Sequence, residues 1–189
     1  MRIWEDLAVE QRDMRGGHFV KRIVARPLCR AAFAPFGDVL DTDWPHHFPI
    51  NGGMAERYHG LARVEVAGPD AHVLINIFHG RPCAMPLTLA MVERHPLGSQ
   101  AFMPLNSRPF LVVVAADGLD GPEPPQAFLT RPGQGVNYRR NVWHGVLAPI
   151  GAPQDFLVID RGGEGSNLEE FRFPEPWIVH LPEGYEDRH

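Results

Sequence analysis

Nineteen prolines and nineteen glycines are spread through 189 residues, and only short apolar runs stand between them. A proline inside a helix removes a backbone hydrogen bond and clashes with the preceding turn, so a chain punctuated this often builds few helices. From Arg22 onward, runs of Val, Ile, Leu and Phe alternate with Gly, Pro, Asn and Asp. That is the pattern of an all-β sandwich or barrel with many tight turns, and the recurring apolar runs argue against disorder.

The runs predict strands over Ile23–Arg26, Ala62–Val66, His72–Phe78, Thr88–Glu93 and Ala101–Pro104. Further strands are expected at Phe110–Ala115, Ala127–Thr130, Gly135–Tyr138 and Phe156–Asp160. Helix is confined to one or two turns over Cys29–Phe36, and Glu123–Gln126 is too proline-rich to extend one. Residues 1–20, charged and glycine-punctuated, are set apart as an N-terminal extension: a short helix with a flexible join, or a start at Met1 in place of Met14. Residues 21–189 are then one domain, a length that suits a single core. Its tail from Phe171, with prolines flanking Trp177 and Ile178, is expected to lie extended against the barrel or a partner subunit.

Eighteen basic residues face 23 acidic ones, and the net charge of −5 comes with no long basic run. This excludes a nucleic-acid face and favours a small-molecule partner. Cys29 and Cys83 are too few for a disulfide framework and read as ordinary buried thiols in a reducing, cytoplasmic interior. The amino terminus carries Arg2, Glu5, Asp6, Glu10, Arg12 and Asp13 where a signal peptide needs an apolar run. Nothing approaches a membrane span, so no membrane association is expected.

Chemistry-bearing residues gather in two stretches. In the first, Glu93 and His95 lie two apart and so share one face of a strand, with Gln100 following. The second, Gly135 to His144, ends in His144 behind a glycine-containing turn. The first stretch resembles the first cupin motif, H-x-H-x(3,4)-E, with Glu93 in the first His position and Gln100 in the Glu position. His144 falls where the second cupin motif supplies its last ligand. The resemblance implies a cupin-like antiparallel β-barrel (a double-stranded β-helix or jelly roll) with few short helices. It also implies that Glu93, His95, Gln100 and His144 point into one cavity as a metal set. Two imidazoles, a carboxylate and an amide oxygen suit a divalent nickel, manganese or zinc ion, held weakly because Gln is a neutral, poor ligand.

Four segments in order carry a narrower resemblance: Asn51-Gly52-Gly53-Met54-Ala55-Glu56-Arg57-Tyr58-His59, Glu93 to Phe102, Gly133 to His144, and Ile159-Asp160-Arg161-Gly162-Gly163. Together they are similar to the ureidoglycolate lyase family, also called ureidoglycolate hydrolase, over residues 20–165. The family implies a homodimer that cleaves ureidoglycolate to glyoxylate and urea in allantoin and purine catabolism. Alternatives are an amidohydrolase that releases ammonia and carbon dioxide, and a cupin that binds a small carboxylate without catalysis.

Such a substrate carries a carboxylate, a hydroxyl and a ureido group on one carbon, so the site must hold an anion, take a proton and return one. Arg57, Arg94, Arg140 and Arg161 lie within or beside the motifs and are candidates for the carboxylate. Arg94 ranks below Arg140 and Arg161, because alternation turns it away from Glu93 and His95. If the strand stays regular through Asn141, Tyr138, Arg140 and His144 share a face. Without a metal, His95 or His144 is the general base; with one, both are ligands and Tyr138 or Glu93 is the acid for the leaving nitrogen. Trp143 is expected in the core or pocket wall. The Asn51–His59 segment serves a dimer interface, a lid or the substrate, and Asp160 could orient an Arg or a His. His18, His46, His47, His180 and His189 read as surface groups, and Ser99 lacks the partners of a nucleophile.

Overall fold

The computed structural model describes residues 13–15 and 18–185, with side chains from Lys21 onward. The expectations for residues 1–12, for the side chain of His18 and for His189 lie outside these described residues. The first strands are β1 (Asp13–Arg15), β2 (His18–Val24), β3 (Arg26–Pro27), β4 (Gly37–Leu40), β5 (His47–Ile50) and β6 (Ala55–Tyr58). They are followed by β7 (His72–Gly80), β8 (Leu87–Arg94), β9 (Gln100–Pro104), β10 (Phe110–Ala115), β11 (Asp117–Gly118) and β12 (Gly121–Pro122). The last are β13 (Gln126–Leu129), β14 (Gly135–Tyr138), β15 (Trp143–His144), β16 (Ala148–Pro149), β17 (Gln154–Gly162) and β18 (Glu169–His180). The only α-helix among the described residues is α1 (Arg30–Phe33), inside the expected Cys29–Phe36 window.

Two sheets make a cupin-like barrel. The larger runs β1-β2-β18-β8-β15-β10-β13-β3, with β16 also on β10, and the smaller runs β4-β14-β9-β17-β7. Pairing is antiparallel except where β18 meets β2 and β13 meets β3. Between the sheets lies an aromatic core: Phe102, Val136, Phe156 and Val158 from the smaller sheet against Phe110, Val112, Val114 and Phe128 from the larger, with Phe33 beneath. The alternate residues of β10, Leu111, Val113 and Ala115, join a second core with Leu89, Val92, Trp143, Trp177 and Val179. Strand β10 is therefore buried on both faces, which is why it reads as an unbroken apolar run.

The register of the smaller sheet sets the inner wall. Tyr138 pairs with Gln100, Ala101 with Ile159, and Asp160 with Leu74. Tyr138, Gln100, Asp160 and Leu74 thus form one inward row across four strands, above a second row of Val136, Phe102, Val158 and Asn76. An apolar floor carries a polar ledge.

Two expectations are corrected. Ala62–Val66 is not a strand; it touches the barrel through a single bridge from Val66 to Gly98 and through Glu65, whose backbone pairs with Ser99. Cys29, expected to be buried, is exposed. The tail lies extended against the barrel as expected, since Glu169–His180 is a full strand between β8 and β2. Its register shifts between Arg172 and Trp177, where Pro174 and Pro176 sit, because proline lacks the N–H that a regular ladder needs.

Phe156 is fully buried, with ring centroids 5.0 Å from Phe110 and 6.3 Å from Phe102. Removing such a side chain leaves a cavity as well as losing buried area, so Phe156→Ala is expected to destabilise the fold by about 3–5 kcal/mol. Denaturant unfolding measures this, and a loss below about 1 kcal/mol would show that the two sheets do not depend on this contact.

Candidate active site

Two crossings between the sheets build the site. In the first, β8 ends at Arg94 and the segment His95–Ser99 carries the chain over to β9. His95 precedes Pro96, which favours an extended backbone there. Gly98 is needed at this crossing, because a Cβ would lie 2.6 Å from the Cβ of Arg161. The second crossing, Arg139–Val142, leads from β14 to β15, and Asn141 adopts a positive φ of 67° to make the bend. The Asn141 N–H donates to the His95 carbonyl at 2.9 Å, so the two crossings are tied together.

This bend breaks the parity expected across Asn141. His144 leaves β14 altogether and pairs with Glu93 of β8 and Val114 of β10. Its ring nevertheless returns to Tyr138, stacked at 4.4 Å with an interplanar angle of 3°. Arg140 does not follow them. It is an exposed turn residue whose backbone N–H donates to the Glu65 carboxylate at 3.1 Å.

Candidate ligand atoms of Glu93, His95 and His144 all lie within 4.8 Å of one another. The His95 Nε2 is 4.0 Å from the Glu93 Oε1, and the two imidazole centroids are 5.2 Å apart. The His95 Nδ1 donates to the Asn167 carbonyl at 2.7 Å, and the His144 Nδ1 donates to the Gly145 carbonyl at 3.1 Å. A carbonyl only accepts, so both protons sit on Nδ1 and both Nε2 lone pairs are left facing inward. Neither Nε2 has a hydrogen-bond partner, though both are buried. Buried polar atoms are ordinarily satisfied, and two orphaned acceptors beside a carboxylate fit a divalent cation. Ligands about 2 Å from one ion lie closer together than 4.8 Å, so the three side chains would close in slightly on binding.

Electrostatics support that role. Burial, and then the neighbouring His95, hold the His144 imidazole down to about 3, so it is neutral near pH 7 and suited to ligation rather than proton uptake. Burial raises the Glu93 carboxyl above its ordinary value, with His95 opposing and Glu170 adding to the rise. Burial also raises the Tyr138 phenol, helped by the charge of Glu93, so Tyr138 keeps its proton. Gln100 is buried on the opposite wall and its amide donates to Asp160, which leaves only its oxygen for an ion.

The remaining candidates lie apart. Arg161 is buried with its guanidinium donating to the carbonyls of Ala67, Gly163, Pro69 and Glu164, where it braces the loops behind Gly98. Arg94 pairs with Glu169 at 2.6 Å and Asp117 at 3.1 Å and lies 4.2 Å over the Trp143 ring. Trp143 donates to Asp117 and packs in the second core, so both residues occupy the face opposite His144. Arg57 is exposed on the β5–β6 hairpin, a separate two-stranded sheet in which His47 meets Glu56 at 2.7 Å. Sequence reasoning missed Asn76, whose amide donates to Asp160 at 3.0 Å, and Asn167, which holds His95 and also accepts from the Leu97 N–H. Neither stands in a motif; the only signal was a lone amide within β7 and another in a loop.

An all-β barrel with two imidazoles and a carboxylate gathered inside it defines a cupin-type protein with a candidate metal centre. The profile of the family "Ureidoglycolate lyase" matches residues 20–180. A Mesorhizobium japonicum protein named ureidoglycolate lyase is 65% identical over 161 residues, covering 85% of this chain and 99% of that protein. A Chelativorans protein of the same name is 62% identical over 164 residues, covering 87% and 99%, and one from Rhizobium etli is 54% identical over 157 residues, covering 83% and 95%. The chain belongs to the ureidoglycolate lyase family.

His144 makes the fold sensitive to acid. In the unfolded chain it takes up a proton below its ordinary value of about 6.5, whereas in the fold it resists protonation down to about 3. Stability from this group is thus complete above about pH 6.5 and is lost as pH falls toward 3. His144→Gln should flatten the dependence of melting temperature on pH between 7.5 and 5, and an unchanged slope would place the acid sensitivity elsewhere.

Proposed function

We propose that this chain is a ureidoglycolate lyase, cleaving ureidoglycolate to glyoxylate and urea in allantoin and purine catabolism. The observation that carries the reading is the pair of inward, unpartnered Nε2 atoms beside Glu93, in a chain 54–65% identical to proteins of that name. The working unit is one domain over residues 21–189, with residues 1–20 as an extension, in a cytoplasmic protein. Among the described residues no helix is long and apolar enough to cross a membrane.

Glu93, His95 and His144 would hold a divalent ion, nickel, manganese or zinc, with the Gln100 oxygen as a fourth donor. Bound there, the ion would supply positive charge for the substrate carboxylate and acidify the neighbouring hydroxyl. Glu93, with its raised carboxyl pKa, exchanges the hydroxyl proton as the carbonyl forms. Tyr138 keeps its proton and donates a hydrogen bond to the leaving nitrogen, and the proton taken up by Glu93 passes to that nitrogen as urea departs. Asn167 and Gly145 keep the imidazoles in the tautomer that turns Nε2 inward. Arg140, Arg161, Arg57, Arg94 and Trp143 serve the surrounding structure rather than the reacting atoms.

Supplied with racemic ureidoglycolate, the protein should release glyoxylate and urea in equal amounts without ammonia. His95→Ala and His144→Ala should each lower glyoxylate release by about a hundred- to ten-thousand-fold. Chelation should do the same, reversed by adding back one of the three ions. Ammonia as the first nitrogen product would support the amidohydrolase reading, and no turnover at all would support a carboxylate-binding protein.

A homodimer is part of the proposal. The tail around Trp177, expected against the barrel or a partner, is covered by the chain itself, since Trp177 is 7% exposed within the second core. Strand β7 offers a better seam: it is the edge of its sheet, nine residues long, with Val73, Ile75 and Ile77 exposed on its outer face. An open apolar edge of this length is the kind that proteins cover. Sedimentation should give a dimer at micromolar concentration, and Ile75→Asp should give a monomer; a wild-type monomer would refute the assignment.

A further inference from the structure

Asp160 stands on the polar ledge of the cavity, between Gln100 on β9 and Leu74 on β7. It is only partly buried, and Leu74 beside it is 38% exposed, so this end of the ledge opens toward solvent. Two neutral amides hold it: Asn76 donates to Oδ1 at 3.0 Å and Gln100 donates from the other side. Among the described residues no guanidinium or ammonium pairs with it. A carboxylate accepts about four hydrogen bonds, so a carboxylate fixed by two amides keeps acceptor capacity for a ligand. The triad of Glu93, His95 and His144 lies on the facing sheet, close enough for His95 to influence Asp160.

A substrate lying between these walls has two chemically different ends. Its carboxylate and hydroxyl suit the imidazole and carboxylate cluster once that cluster carries a cation, whereas its ureido group presents two roughly parallel N–H donors from separate nitrogens. Two parallel donors match the two oxygens of one carboxylate, the geometry by which arginine pairs with Asp or Glu. We propose that Asp160 is a specificity-determining residue that accepts the two ureido N–H groups, with Asn76 and Gln100 as positioning residues that hold its plane. The inference rests on the lyase reading and adds the group that tells a ureido compound from a simple amide.

Two non-reacting ligands test this by calorimetric titration. N-carbamoylglycine and N-acetylglycine share the carboxylate and the secondary N–H but differ in a terminal NH₂ against a methyl group. A site built to hydrogen-bond an N–H discriminates against an analogue lacking it, so the wild-type protein should bind N-carbamoylglycine at least about tenfold more tightly. Asp160→Asn, a near-isosteric change, should bring the two affinities within about twofold while N-acetylglycine binding stays near wild type. Asn76→Ala should narrow the preference to a lesser degree. Equal binding of both ligands by the wild type overturns the proposal without needing any variant to fold. It is also overturned if Asp160→Asn keeps the preference, or weakens both ligands equally. The lyase reading fails separately, if wild-type protein releases no glyoxylate from ureidoglycolate.

Discussion

The hydrogen bond from the Asn141 N–H to the His95 carbonyl is the constraint on which the site depends. It joins the two places where the chain changes sheets; the first crossing starts at His95 and the second leads into the strand that carries His144. The bond adds to what holds each ring: His95 is also fixed to β8 and the Asn167 loop, and His144 to its neighbours in the larger sheet and to the Tyr138 ring. The left-handed backbone of Asn141 aims its N–H at that carbonyl. Residue type matters here, since Asn tolerates a positive φ that a β-branched residue would resist. The geometry of the imidazole pair is thus a property of two turns held to each other.

Charge distribution is the second organising fact. Glu93 and Asp160 bring carboxylates into a cavity whose histidines include one that burial keeps neutral. The arginines expected to receive an anionic substrate are committed elsewhere or lie on exposed turns. An anion entering such a space meets repulsion unless a cation balances the carboxylates, and the unpartnered Nε2 atoms are where a cation would be held. With Arg94 and Arg161 engaged in structural contacts, a cation at the triad would supply charge that an anionic substrate needs.

Much of this was legible in the sequence, for identifiable reasons. The breaker spacing announced an all-β chain, and the parity of Glu93 and His95 carried through because β8 is regular up to Arg94. The same reasoning placed Arg94 on the opposite face, where it stacks on Trp143. Parity failed beyond Tyr138, since period-two alternation holds only within one strand and Asn141 starts a new one in the other sheet. The tail from Phe171 lies against the barrel as expected, but its ladder was not legible because Pro174 and Pro176 look like strand breakers, whereas they fall in a bulge that the ladder passes over. Asn76 and Asn167 act through partners 84 and 72 residues away, a relation that no local spacing encodes.

The stacking of Tyr138 on His144 shows how closely the core and the chemistry are joined. Tyr138 belongs to the aromatic core through Phe33 and Phe102, at centroid distances of 6.2 and 5.9 Å, while its other contact is the His144 imidazole at 4.4 Å. The packing that buries the tyrosine also buries the histidine, and desolvation is the leading cause of both pKa shifts. One environment therefore favours a neutral imidazole and a protonated phenol side by side. The burial that would make His144 a good ligand also removes its basicity, so in the proposed mechanism the hydroxyl proton goes to Glu93, a neighbour that solvent still reaches.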